Sequence, residues 1–232
     1  MNNPQRLIDR AAQLIKTGRN GAARPILAAV SAMGARDSRA AELGALLDMR
    51  DGHLSAARDA LDRDLSMWPG HAGLRKLRAE LRFNTEDLPG ALEDAADCVI
   101  QDAHDPAAKA LLGMLLLEAG HAQDAILCLA EAVRDAPFHP GYVQAFAQAQ
   151  EAADDAHGAA NTLRLGTANM PGDGSLRSAA VFLAVRQRDF RQAVVLAEAA
   201  RAAGVADACT FGLLGHALSS LGEHSQIGRA HV

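Results

Sequence analysis

Aromatic residues are nearly missing. Phe, Trp and Tyr make up 3% of the 232 residues, with a single Trp and a single Tyr. A core without rings must be built from Ala, Leu and Val. Such side chains suit closely packed helices better than sheets, where β-branched and aromatic residues do best. Cysteine is scarce too. Cys98, Cys128 and Cys209 are odd in number and widely spaced, which argues against a disulfide framework and fits a reducing cytoplasm. Basic runs are absent and the net charge is −5, so the phosphate-neutralising stripe of a nucleic-acid binder is not expected. No apolar stretch is long enough to span a bilayer. The start, Met1-Asn2-Asn3-Pro4-Gln5-Arg6, runs into an amphipathic helix without the apolar segment of a secretory signal. No G-x-x-x-x-G-K-[ST] loop occurs, and no strand is present for a G-x-G-x-x-G to follow.

What is present is a period. Ala23, Ala57, Ala91, Ala125, Ala159 and Ala193 stand 34 residues apart. In an Ala-rich chain one such ladder carries little weight, but others keep the same step. Gly18, Gly52, Gly120 and Gly222 share one register, and Pro69, Pro137 and Pro171 another. Leu27, Leu61, Leu129 and Leu163 form a fourth row, interrupted by Ala95 and continued by Ala197. Each row has a mechanical reading. The Gly falls between two apolar-periodic segments, where a helix must end and turn. The Ala lets two helices approach, and the Leu lies four residues on, along the same face. The Pro closes the second helix. One unit is therefore helix, tight turn, helix, short turn. A lone hairpin cannot bury its apolar face, so neighbours must stack.

These residues resemble the tetratricopeptide repeat, whose pattern places Gly at position 15, Ala at 20 and 27 and Pro at 32. The segment from Pro106 to His139 fits best, with Leu112-Gly113, Leu116, Gly120, Ala125, Leu129, Ala132 and Pro137 in the expected places. The resemblance implies an all-α fold: an α-solenoid of stacked antiparallel hairpins in a right-handed superhelix. It would hold six repeats, at about 4–37, 38–71, 72–105, 106–139, 140–173 and 174–207, plus one helix of a seventh at 208–226. Departures occur. Asp48 and Arg82 stand where an apolar residue is expected, so the stripes Leu43, Leu46, Leu47 and Leu74, Leu77, Leu81 are read as slightly rotated. The fifth unit is weakly apolar, with Gln148, Gln150 and Glu151, and Gly166 replaces a small Ala.

The resemblance also implies where a partner would lie. First helices line the concave wall of such a stack, with positions 2, 5, 9, 12 and 13 facing the groove. In this chain those positions include Arg39, Met49, Arg50, Lys76, Glu80, Phe83, Asn84, Met114, Leu117, Gln144, Gln148, Phe182, Arg186 and His216. Basic, amide and apolar groups together suit an extended peptide, whose backbone wants amide partners and whose side chains want pockets. Some family members clamp a terminal carboxylate with Lys at position 5 and Asn at position 9. Lys76 meets the first requirement but Glu80 stands at the second, so the clamp is not expected.

No catalytic, cofactor or metal residues are nominated. His53, His71, His121 and His139 fall in turns without a second good ligand nearby. Cys98 and Cys128 fall near packed positions of second helices, whereas Cys209 opens the seventh unit. The expected role is a cytoplasmic, bacterial scaffold for a protein or extended peptide, without nucleic-acid binding or membrane insertion. The alternative is the regulatory or substrate-recruiting region of a larger methyltransferase, sulfotransferase or glycosyltransferase, so enzymatic activity of an intact protein stays open. The final residues, Ile227-Gly228-Arg229-Ala230-His231-Val232, match one reading frame of a sequencing adapter and are read as a non-native tail. On that reading the chain is cut near Gln226. The first helix of the seventh unit then lacks its second helix, and an exposed apolar face there would favour self-association.

Overall fold

The computed structural model describes residues 3–222, and the tail at 227–232 lies outside them. Among the described residues there are thirteen α-helices and no strand. First helices of the hairpins are α1 (Pro4–Lys16), α3 (Ser38–Arg50), α5 (Ala72–Asn84), α7 (Pro106–Glu118), α9 (Pro140–Ala152), α11 (Gly174–Arg186) and α13 (Ala208–Ser220). Second helices are α2 (Asn20–Ala32), α4 (Leu54–Met67), α6 (Leu88–Gln101), α8 (Ala122–Asp135), α10 (Ala156–Asn169) and α12 (Phe190–Ala202).

The residues that begin and end these helices keep the period. First helices are capped at Asn3, Asp37, His71, Asp105, His139, Asp173 and Asp207, each 34 residues after the last. The Asp side chains accept hydrogen bonds from free amides of the first turn, as Asp37 does from Arg39 N at 2.9 Å and Ala40 N at 3.0 Å. Such a cap stabilises a helix by about 1 kcal/mol. Pro4, Pro106 and Pro140 begin their helices, where a missing N–H costs nothing.

The turn inside each hairpin needs a left-handed residue. Gly18, Gly52, Gly120 and Gly222 supply it with φ of +74°, +80°, +82° and +76°. In the three hairpins without that glycine the same register is held by Glu86, Asp154 and Arg188, at φ of +65°, +62° and +59°. The turn geometry is thus common to all seven places, and three of them accept the side-chain strain.

The chain divides into two compact units, 1–103 and 104–232, each with its own buried clusters. In the first, Ala45, Ala57, Leu61, Leu65, Leu74, Leu77 and Leu81 pack as one cluster and Ala11, Ile15, Ala23 and Leu47 as another. The off-pattern charges are explained here. Asp48 Oδ1 receives Arg24 Nη1 at 2.8 Å, from the preceding second helix. Arg82 Nη1 donates to Gly90 O at 2.9 Å and lies 3.0 Å from Asp94 Oδ2. Arg78 binds both oxygens of the same carboxylate, Nη2 to Oδ1 at 2.7 Å and Nε to Oδ2 at 2.9 Å. Asp94 is 2% exposed, so this is a buried acid held by two guanidinium groups.

In the second unit small residues set the spacing. A Cβ on Gly113 would stand 2.6 Å from Leu129 Cγ and 3.3 Å from Ala125 O, so α7 and α8 are as close as a missing side chain permits. A Cβ on Gly166 would stand 2.7 Å from Val143 Cγ1, the same device between α10 and α9. Toward the end, Ser178 on α11 and Thr210 on α13 share a buried hydroxyl contact at 2.7 Å, and both bind Asp207 Oδ1. Leu214, Ala217 and Leu218 of α13 are buried in the cluster formed with Val181, Ala184, Ala193 and Ala197.

Candidate functional site

In both units consecutive first helices touch: α1 with α3, α3 with α5, α7 with α9, α9 with α11, and α11 with α13. Among the described residues no two consecutive second helices of one unit come as close. Each unit therefore bends toward its first helices and splays its second ones, which makes the first helices an inner wall.

On the wall of the first unit two of the expected groove residues, Arg39 and Arg50, are engaged within the chain. Arg39 Nη1 binds Asp9 Oδ1 at 2.8 Å. Arg50 Nη1 donates to Ile15 O at 3.2 Å, satisfying a carbonyl near the end of α1. Lys76 and Glu80 are one helical turn apart. Glu80 is exposed, yet desolvation pushes its carboxyl up from the ordinary value, against the opposing pull of Lys76. Phe83 and Asn84 are exposed at the end of α5.

The second unit is different. Gln144 and Gln148 on α9, Phe182 and Arg186 on α11 and Leu117 on α7 line one cavity of about 320 Å³. Three first helices build it, with Leu163 contributed by α10. Phe182 is 48% exposed, one of three exposed phenylalanines with Phe83 and Phe138. Its face carries the Arg186 guanidinium at 6.0 Å, the outer reach of a cation–π contact. Arg186 Nε also lies 3.3 Å from Glu151 Oε1, which orients it across the rim. Among the described residues neither Gln144 nor Gln148 makes a side-chain hydrogen bond, so both amides are available to a ligand. The arrangement can bind: an apolar floor, an aromatic platform, two amides and one steered cation. It offers no general base beside a nucleophile.

Several residues fall outside this cavity. Met114 is exposed on α7 but does not line it, and His216 sits on α13 edge-on to Phe190, with ring centroids 5.9 Å apart. Glu151, Ala147, Ala152, Ala179 and Leu183 line the cavity without having been singled out. Glu151 stands at position 12 of its repeat, so the register alone could have found it; the others needed the packing.

The remaining candidates have structural roles. His53, His71, His121 and His139 stand at the residue before a helix; of these only His71 caps with its side chain, Nδ1 accepting from Leu74 N at 3.2 Å, while His139 stacks on Tyr142. Cys98 is buried, Cys128 partly buried and Cys209 exposed. Desolvation pushes the Cys128 thiol up, with Glu131 and Asp124 adding to it, which suppresses thiolate chemistry. No group of His, Cys, Asp or Glu suited to a metal ion occurs among the described residues. No described helix is long and apolar enough to cross a membrane.

No family profile matches the sequence, and no curated protein matches it. Solved structures do. A tetratricopeptide repeat protein from Parabacteroides merdae superimposes with a TM-score of 0.72 at 16% identity, over 98% of this chain and 90% of that one. PilW, described as a widely conserved type IV pilus biogenesis factor, gives 0.73 at 14% identity, over 84% of this chain and 91% of its own. The Cut9–Hcn1 hetero-tetramer of the APC/C gives 0.76 at 14% identity, over 93% of this chain and 43% of the matched chain. At these identities the likeness establishes the fold and nothing finer: the chain is built as a tetratricopeptide-type solenoid of helix hairpins.

Proposed function

We propose that this chain is an interaction scaffold whose second-unit wall takes an extended segment of a protein partner. The observation that carries the reading is the cavity on α7, α9 and α11, where an exposed Phe182, two unengaged amides and Arg186 converge. A peptide laid there would place an apolar side chain on Phe182 and backbone groups on Gln144 and Gln148. Arg186, 59% exposed and paired through Nε with Glu151, keeps its terminal nitrogens for an acidic residue of the partner. Fold-level analogy agrees, since Cut9 is seen in complex with Hcn1. Three cysteines without a disulfide fit a reducing compartment such as the cytoplasm.

Selection of peptides from a randomised display library against the chain, followed by calorimetric titration, tests the reading. Selected peptides should be enriched in apolar and acidic residues, and Phe182→Ala with Gln148→Ala should weaken them by about tenfold or more while helicity is unchanged. Peptides unaffected by those changes but sensitive to Arg39→Ala or Lys76→Ala would place the site on the other unit.

A further inference from the structure

Position 4 of the first helix carries a cation in three repeats: Arg75, Lys109 and Arg177, spaced by 34 and 68 residues. In two of them an acid on the following second helix neutralises it. Arg75 Nη1 binds Asp97 Oδ2 at 3.2 Å. Lys109, only 4% exposed, binds Asp135 Oδ2 at 2.8 Å and Glu131 Oε2 at 2.9 Å. In the sixth repeat both acid places are alanine: Ala199 stands in the register of Asp97 and Glu131, and Ala203 in that of Asp135. Arg177 keeps the neutral half of the arrangement, donating from Nη2 to Pro171 O at 3.1 Å as Arg75 does to Pro69 O at 2.6 Å. It has no carboxylate partner among the described residues; its Nε is buried without a hydrogen bond, as is that of the acid-paired Arg75, so the missing carboxylate is what sets the two apart.

Beside Arg177 lies a cavity of about 290 Å³ in the wedge between α10 and α12, floored by α11. Ala199 and Leu196 line one side, Ala180, Leu183 and Ala184 the floor, and Arg177 and Arg164 supply positive charge. Asp189, the acid of the lining, is occupied as the cap of α12, accepting from Gln192 N at 3.0 Å. An unneutralised, partly desolvated guanidinium in an apolar recess is stabilised by an anion of matching shape.

We infer that this wedge is a binding site for a carboxylate on a short aliphatic body, which takes the place that Asp97 and Asp135 fill in the other repeats. The site opens on the splayed side of the second unit, shares Leu183 with the cavity proposed to bind peptide, and does not depend on that reading. The carboxylate can come from a free aliphatic acid or from an acidic side chain beside an aliphatic residue.

Titration followed by ¹H–¹⁵N spectra of the arginine Nε groups tests this on the whole chain. The probes are hexanoate, hexanamide, and the capped peptides acetyl-Ala-Leu-Glu-Leu-Ala-amide and its Glu→Gln form. A saturable shift of the Arg177 Nε signal by hexanoate or by the Glu peptide, with a Kd on the order of 1 mM or tighter, is expected. Binding by hexanoate alone identifies a small-molecule site, and tighter binding by the Glu peptide identifies a docking site for an acidic side chain. Arg177→Gln, followed through the Arg164 Nε signal of the same cavity, should reduce affinity by about tenfold, and Ala199→Asp, which restores the internal acid, should abolish binding while raising Tm. Phe182→Ala should leave it unchanged. An equal response to hexanamide or to the Gln peptide, no saturable shift, or undiminished binding by the folded Ala199→Asp protein would overturn the assignment.

Discussion

The two inner walls are built from the same repeat and differ in what they do with their polar groups. On the first unit, Arg39 is spent on Asp9, Arg50 on a helix carbonyl, and the neighbouring Arg78 and Arg82 on Asp94. On the second, Gln144 and Gln148 face a cavity unengaged, beside an exposed ring. A charged groove position is easily captured by another charge of the same chain. Amides and aromatics on a thin helical wall find no such internal partner, and so remain available to an external one. The lesson is that a solenoid's groove residues divide into those that hold repeats together and those that await a ligand, and residue type goes far toward deciding which.

Removing Asp94 should test this most severely. Asp94→Ala leaves Arg78 and Arg82 without their shared acid and should cost about 3–5 kcal/mol, read as a fall in Tm and in denaturation midpoint. Arg78 would retain only Asp62 at 3.1 Å, an exposed pair of little worth. A loss below about 1 kcal/mol would mean that the first-unit cluster is ornamental. In the second unit the tight place is apolar. Ala125→Leu should drive α8 from α7, where Gly113 already leaves no room, and cost about 1–3 kcal/mol; an unchanged Tm would refute that packing.

Binding should separate the walls in the opposite sense. Arg186→Glu should lower affinity for acidic peptides by about tenfold with helicity intact, whereas Lys76→Glu should change it less than about twofold. Equal losses would erase the distinction between the units. A smaller effect concerns the shared turn. Glu86→Gly and Arg188→Gly, one in each unit, should each stabilise by about 1 kcal/mol, because a side chain at positive φ is strained. Stabilisation in one unit alone would show that the turns are not equivalent.

Acid titration should divide the units by sign. In the second, hydrogen bonds from the Thr210 amide and hydroxyl hold Asp207 below the ordinary carboxylate value, and the Ser175 hydroxyl and backbone hold Asp173 below it too. A depressed acid contributes stability that is present above its unfolded pKa, about 3.9, and is lost as pH falls through the lower folded value. In the first unit, desolvation raises Asp64 and Glu80. A raised acid contributes stability present below the unfolded pKa and lost as pH climbs through the folded value. Lowering pH from 7 toward 4 should therefore stabilise the first unit, and further acidification should destabilise the second. Hydrogen exchange at several pH values reads both. Asp64→Ala, which restores the small residue its repeat position favours, should remove the first effect; persistence of the trend would shift it to Glu80.

Much of the fold was legible because its signals are local. A cap needs an Asp or Asn before a helix and a turn needs a left-handed residue, so the 34-residue ladders expose the hairpins directly. Even Glu86, Asp154 and Arg188 could be placed in the turn by counting. The site was legible only in part. Register put Gln144, Gln148, Phe182 and Arg186 on one wall and would have added Glu151, but it gave Arg39 and Arg50 the same standing. Asp48 and Arg82 looked like flaws in the stripe, since their partners Arg24 and Asp94 sit on other helices.

The amino-acid order alone determined the period, the helix type and the turn positions, since each rests on interactions within a few residues. Tertiary structure decided which polar groups are consumed and which remain open, because ion pairing depends on distances between helices that sequence spacing does not contain. Arg75 and Arg177 occupy the same place in their repeats; the register shows Asp97 against Ala199 in the sequence, and the packing adds that Asp97 reaches Arg75 while Arg177 is left beside a cavity.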